Sequence, residues 1–151
     1  MTRAMSILIF LVLCAGIPLM AQSDSIATLE IEFTGIRSCE GQIAINISSL
    51  PKGFPHDAGR EIQFSKDQMK DEVLTVQIEE VPYGIYAVSV MDDLNCDMEM
   101  EMFLGFPKEG YGFSLNPKFK LRAPKFKDCS FQLNQPHQKI TIHMSYPRKK
   151  K

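Results

Sequence analysis

A two-residue hydrophobic period that returns in segment after segment restricts this chain most. Leu29, Ile31 and Phe33 alternate with Thr28, Glu30, Glu32 and Thr34. Ile43, Ile45 and Ile47 repeat the pattern, as do Leu74, Val76 and Ile78, and Ile140, Ile142, Met144 and Tyr146 close it. Successive side chains of a strand project to opposite faces, so each such segment buries one face and wets the other. Tyr86, Val88 and Val90 lie opposite Ile85, Ala87, Ser89 and Met91; both sets are fairly apolar, which places this strand near the centre of a sheet. Pro82 and Gly84 suit positions i+1 and i+3 of a turn just before it. With Phe131 and Leu133 as one more short run, and no sustained helical period after the N-terminal leader, the pattern predicts an all-β, antiparallel β-sandwich. Leu50 to Lys70 reads as an irregular excursion with a single helical turn around Asp67 to Asp71.

The first residues follow a different rule. Arg3 precedes an apolar run from Ile7 to Ala15, and Pro18-Leu19-Met20-Ala21 ends on a small residue before polar Gln22, Ser23 and Asp24. This order predicts a secretory signal peptide over 1–21, cleaved after Ala21, and an exported protein, periplasmic or extracellular. The run falls short of the about 20 apolar residues of a membrane span, so no stable span is expected after cleavage. Residues 22–147 then form a single sandwich domain, since a domain takes roughly 100 to 200 residues, and 148–151, Arg-Lys-Lys-Lys, form a basic tail. A formal charge of −1 over the whole chain gives no reason to expect nucleic acid. Cleavage leaves Cys39, Cys96 and Cys129. An odd number means one bridge and a spare thiol or three free thiols; Cys129 begins an apolar run and reads as core, while Cys39 and Cys96 sit in loops and are the candidate pair if a disulfide forms.

Between Asp92 and Asp128 the alternation stops. Loops this long are uncommon unless functional or disordered, and Phe103, Phe106, Tyr111, Phe113, Phe119 and Phe126 are too many aromatics for disorder. The segment is expected to be an ordered loop packed over one end of the sandwich. Here the residues resemble a known family. Gly84-Ile85-Tyr86-Ala87-Val88, the acidic turn from Asp92, Leu104 through Ser114 (LGFPKEGYGFS), Ala123-Pro124-Lys125-Phe126 and Ile140-Thr141-Ile142 resemble the DUF2141 family of exported bacterial proteins without an assigned biochemical function. The resemblance implies a sandwich of the transthyretin (prealbumin-like) or carboxypeptidase regulatory-domain type; an Ig-like sandwich is the other arrangement that fits the strands. It implies no activity. Where the family has H-D-x-N-x-N-G-x-x-D, this chain has Asp92 for the His, Asp97 for the second Asn and Met98 for the glycine.

The acidic turn suggests a metal. Asp93, Asn95 and Asp97 have the 1, 3, 5 spacing by which a calcium loop presents oxygens, with Glu101 at position 9. Against this, Met98 stands where the sharp turn wants glycine and Leu104 where a bidentate carboxylate is wanted. Cys96, Met98, Met100 and Met102 are soft donors of the kind that select Cu(I), although a strand sending methionines inward gives the same alternation. The histidines His56, His137 and His143 show no metal or catalytic spacing, and Ser114 lacks the second glycine of a nucleophile elbow. Tyr111, Phe113 and Ser114 are the ligand-surface candidates, the rings either plugging the core or forming a platform for a peptide or glycan. The expected function is a binding or structural accessory module of the bacterial envelope, not an enzyme, with an unidentified envelope protein, peptide or glycan as partner and calcium as its one candidate cofactor. The alternative is a hydrolase or other enzyme with its site under the 92–114 loop.

Overall fold

The computed structural model describes residues 25–56, 59–104, 106–118 and 122–146. The expected signal peptide and basic tail, Gly105 and Phe119 lie outside the described residues. The strands are β1 (Ile26–Thr34), β2 (Gln42–Ser48), β3 (Arg60–Ser65), β4 (Val73–Pro82), β5 (Gly84–Asp93), β6 (Met102–Phe103), β7 (Phe106–Pro107), β8 (Gly110–Phe113), β9 (Phe131–Leu133) and β10 (His137–His143), with a four-residue helix α1 (Phe126–Cys129) before β9. They make an all-β sandwich. One sheet has the order β10-β1-β4 and the other β3-β2-β5-β8, with β9 also on β5, while β6 and β7 form a separate small hairpin. Pairing is antiparallel except that β1 and β10 run parallel.

The alternating residues lie where the period put them. Leu29, Ile31 and Phe33 of β1, Leu74, Val76 and Ile78 of β4 and Ile142 of β10 pack against Ile43, Ile45, Ile47, Val88 and Val90 of the other sheet, all buried. Burying each such side chain stabilises by about 1.5–3 kcal/mol. β5 is central, bonded to β2 along one edge and to β8 and β9 along the other.

Two segments differ from the sequence reading. The excursion contains β3, an edge strand with four of its six residues exposed. Its alternation has two apolar members, Ile62 and Phe64, too few to stand out. Residues 67–71 make tight turns in place of a helical turn, with the Met69 amide bonded to the Lys66 carbonyl. The long loop is likewise interrupted by β8, which pairs with Ser89 to Asp92. Its glycines hide it: a Cβ on Gly112 would stand 2.6 Å from Ile142 Cγ2 and 2.9 Å from Val90 Cγ1. Glycine is there for close approach of β8 to the core, and Tyr111 and Phe113 point to the other face of the sheet.

One end of the core holds charge. Lys66, fully buried after β3, makes an ion pair with the fully buried Asp92 and donates to the Glu40 carbonyl at 2.5 Å. The Tyr146 hydroxyl donates to Asp92 Oδ2 at 2.5 Å and accepts from the Arg37 amide at 3.0 Å, and the Arg37 guanidinium lies 4.4 Å from the Tyr146 ring centre. Burial, and then the Asp92 carboxylate, push the Tyr146 phenol well above its ordinary range. Breaking a buried pair from one side leaves an uncompensated charge, which costs far more than the intact pair is worth. Lys66→Met is therefore expected to lower stability by roughly 3–5 kcal/mol in urea unfolding, and adding Asp92→Leu to recover much of that loss. Equal stability of Lys66→Met and the parent would refute this account.

Candidate functional site

At the end of β5, Asp93 follows Asp92 and points to the opposite face. Its carboxylate, fully buried, accepts from Gln42 Nε2 at 2.8 Å and the Met98 amide at 3.1 Å through Oδ2, and from the Asp97 amide at 3.3 Å through Oδ1. The acidic loop thus curls around one carboxylate, as Asx turns do. Asp97 repeats the device: Oδ1 accepts from the Glu99 amide at 2.8 Å and Oδ2 from Asn95 Nδ2 at 2.7 Å. Cys96 and Met98 both have left-handed backbones, φ +60 and +65, a conformation that costs any residue other than glycine. The local fold tolerates that cost because the Asp93 carboxylate fixes the amides of Asp97 and Met98.

Of the metal candidates, Asp93, Asn95 and Asp97 are brought together by these bonds. Glu101 turns away to an ion pair with Lys108 at 2.7 Å. Among the described residues, no group of three His, Cys, Asp or Glu side chains is arranged to hold a metal ion. Residues 94–101 form bends and coil, not the strand that alternating methionines suggested; Met98 and Met100 are half-buried and Met102 is exposed.

Glu109 reaches under this loop. Oε1 accepts from the Leu94 amide at 3.2 Å, while Oε2 is buried with no hydrogen-bond partner. Burial, with the Asp93 and Asp97 carboxylates nearby, raises its pKa above the ordinary carboxylate range, against the pull of the Leu94 and Glu101 amides.

The outer face of the five-stranded sheet carries a groove of about 270 Å³. Ala44, Asn46 and Ser89 form its floor, with Met91, Tyr111 and Phe113 beside them; Met98 and Met100 of the acidic loop close one side and Pro55 and His56 the other. The 54–56 segment is pinned there: Ser89 Oγ donates to the Pro55 carbonyl at 2.9 Å, Asn46 Nδ2 donates to the His56 carbonyl at 3.1 Å, and Phe54 meets Phe113 and Phe126 edge-on. Asn46 Oδ1 is buried without a partner.

Tyr111 and Phe113 line this groove, half-buried. Ser114 does not reach it. Fully buried, it completes β5 at the seam between β8 and β9: its amide donates to the Val88 carbonyl, its Oγ accepts from the Val88 amide at 2.9 Å, and the same Oγ donates to the Cys129 carbonyl at 2.6 Å. Cys129 is buried as expected, and burial pushes its thiol up to about 12, with Asp128 adding to the effect. Cys39 and Cys96 are exposed and unbridged. No local pattern marks Phe54, Asn46 or Met91 as groove residues, because the partners come together from separate strands.

The fold thus defines an all-β sandwich bearing a loop-walled groove on one sheet. The family of uncharacterized proteins conserved in bacteria, DUF2141, matches residues 31–141, and the chain belongs to that family. Neither the curated proteins nor the solved structures include a match. No helix among the described residues is long and apolar enough to cross a membrane.

Two outcomes follow. Ser114→Ala leaves the buried Val88 amide unpaired and is expected to cost about 1–3 kcal/mol, measured by urea unfolding; a change near zero would count against the seam. For Glu109, a folded pKa raised above the unfolded value of 4.5 means the folded state binds the proton more tightly. The associated stability is complete below that value and is lost as pH rises through the folded pKa. Glu109→Gln is therefore expected to melt above the parent at neutral pH, with the advantage vanishing in acid. A constant offset from neutral to acidic pH would contradict it.

Proposed function

We propose that this protein is a non-catalytic binding module of the bacterial envelope, exported by its leader, whose working surface is the groove on the outer face of the five-stranded sheet. Its occupant is an extended peptide segment of another protein, with apolar side chains next to Lys or Arg. The observation that carries this reading is the groove itself, with Asn46 and Ser89 on its floor and methionine and aromatic side chains as its walls. Methionine suits such a wall because it adapts to varied apolar shapes. The exposed Asp97 and Glu99 beside it, with Glu61 at the rim, supply the acidic complement to a basic flank.

An enzyme is the weaker reading. His56 and Glu61 are the histidine and carboxylate in the groove lining, at an open surface, and among the described residues neither side chain has an orienting partner. Calcium is also left out, since Asp93 and Asp97 already serve as acceptors for amides and Glu101 is paired with Lys108.

Selection from a displayed random dodecapeptide library tests the proposal. Enriched peptides are expected to carry apolar and basic residues and to shift the methyl signals of Met91, Met98 and Met100 in the NMR spectrum. Tyr111→Ala is expected to weaken the selected peptide about tenfold or more, that is by at least about 1.4 kcal/mol, at little cost in melting temperature. No enrichment, or peptides that shift signals elsewhere, would overturn it.

A further inference from the structure

The β2–β5 ladder ends on the pair Gln42 and Asp93, preceded by Ile43 and Asp92. Residue numbers in an antiparallel register sum to a constant, so continuing it pairs Gly41 with Leu94, Glu40 with Asn95 and Cys39 with Cys96. The first of these steps is visible beyond the ladder. A Cβ on Gly41 would stand 2.6 Å from Leu94 Cα and 2.9 Å from its carbonyl carbon, so the two chains still touch one residue past the last pair. Glu40 is held in place through its carbonyl by Lys66, and the loop around Cys96 by the Asp93 carboxylate. Both thiols are exposed, in contrast to Cys129, whose buried thiol stays protonated.

We infer that Cys39 and Cys96 are an intramolecular disulfide site, a covalent clasp between the turn before β2 and the acidic loop after β5. The inference is independent of what the groove binds, although the clasped loop is the one that supplies Met98 and Met100 to its wall. In the structure the bridge is open and the loop has curled beyond strict register, so closure draws the tip of the acidic loop toward the 38–41 turn. The chemistry is thiol–disulfide exchange with an oxidised disulfide compound. One thiol gives up its proton and attacks the reagent, releasing a thiolate; the second, deprotonated in turn, attacks the mixed disulfide and releases the other. Two protons and two electrons leave the protein, and the reagent is reduced to two thiols.

Oxidised glutathione is the probe, applied to the folded, reduced full chain. After alkylation of remaining thiols and tryptic digestion without reductant, the expected product is a cross-link between peptides 38–52 and 71–108, lighter by two hydrogens than their sum and lost on reduction. Glutathione retained on either cysteine, a bridge to Cys14 or Cys129, a covalent dimer, or both thiols alkylated would each overturn the assignment. Amide hydrogen exchange supplies the second readout. In the oxidised protein, exchange over 94–100 is expected to slow relative to the reduced form, with the difference absent in Cys39→Ser. A bridge that leaves exchange unchanged would overturn its role as a clasp. Since Met91, Tyr111 and Asn46 are untouched by these changes, peptide binding to the groove stands or falls separately.

Discussion

Two carboxylates in succession at the end of β5 organise this molecule. Because a strand alternates its faces, Asp92 enters the core side and Asp93 the outer side. Asp92 draws in Lys66 and Tyr146, which ties the end of β3, the turn before β2 and the chain after β10 to one buried point. Asp93 gathers the amides of Asp97 and Met98 and the side chain of Gln42, and so shapes the acidic loop. A single-residue shift in register would put Met91 opposite Lys66 in one direction, or Leu94 at the loop's acceptor position in the other, so either slip loses one of the two contacts. The register of the central strand is therefore fixed by charge at this end as firmly as by apolar packing elsewhere.

The seam on β5 solves a different problem. Two short strands share one edge of a longer one, and the gap between them exposes backbone groups of Val88 inside the protein. Ser114 fills it with one amide and one hydroxyl, and its bond to the Cys129 carbonyl joins the helix to the same point. The groove inherits this rigidity, since β8 carries Tyr111 and Phe113 immediately before the seam. Its far wall depends on weaker links, two side chain to carbonyl bonds and the edge contacts of Phe54.

The sandwich could be read from the chain because its signal is local: Leu29, Ile31 and Phe33 announce a buried face without reference to any partner. The same logic placed β5 at the centre and Cys129 in the interior. β3 escaped because an edge strand needs few apolar residues, and β8 because Gly110 and Gly112 look like a loop until Tyr146, Val90 and Ile142 are seen pressed against them. The site was less legible still. Asp93, Asn95 and Asp97 have the spacing of a calcium loop, yet the same spacing serves a chain of Asx turns, and nothing in sequence tells which oxygens face amides. Tyr111 and Phe113 stand out in the chain as aromatic rings, but the groove they line also needs Asn46, Met91 and Phe54, residues joined by tertiary pairing alone.

The parallel pairing of β1 with β10 has a mechanical side. Seven consecutive residue pairs, from Thr28 with His137 to Thr34 with His143, join these strands. If Ile26 and His143 were pulled apart along the strand axis, the bonds between these strands would be sheared together, whereas a hairpin pulled at its open end parts one rung at a time. A protein so built resists stretching between its first and last strands.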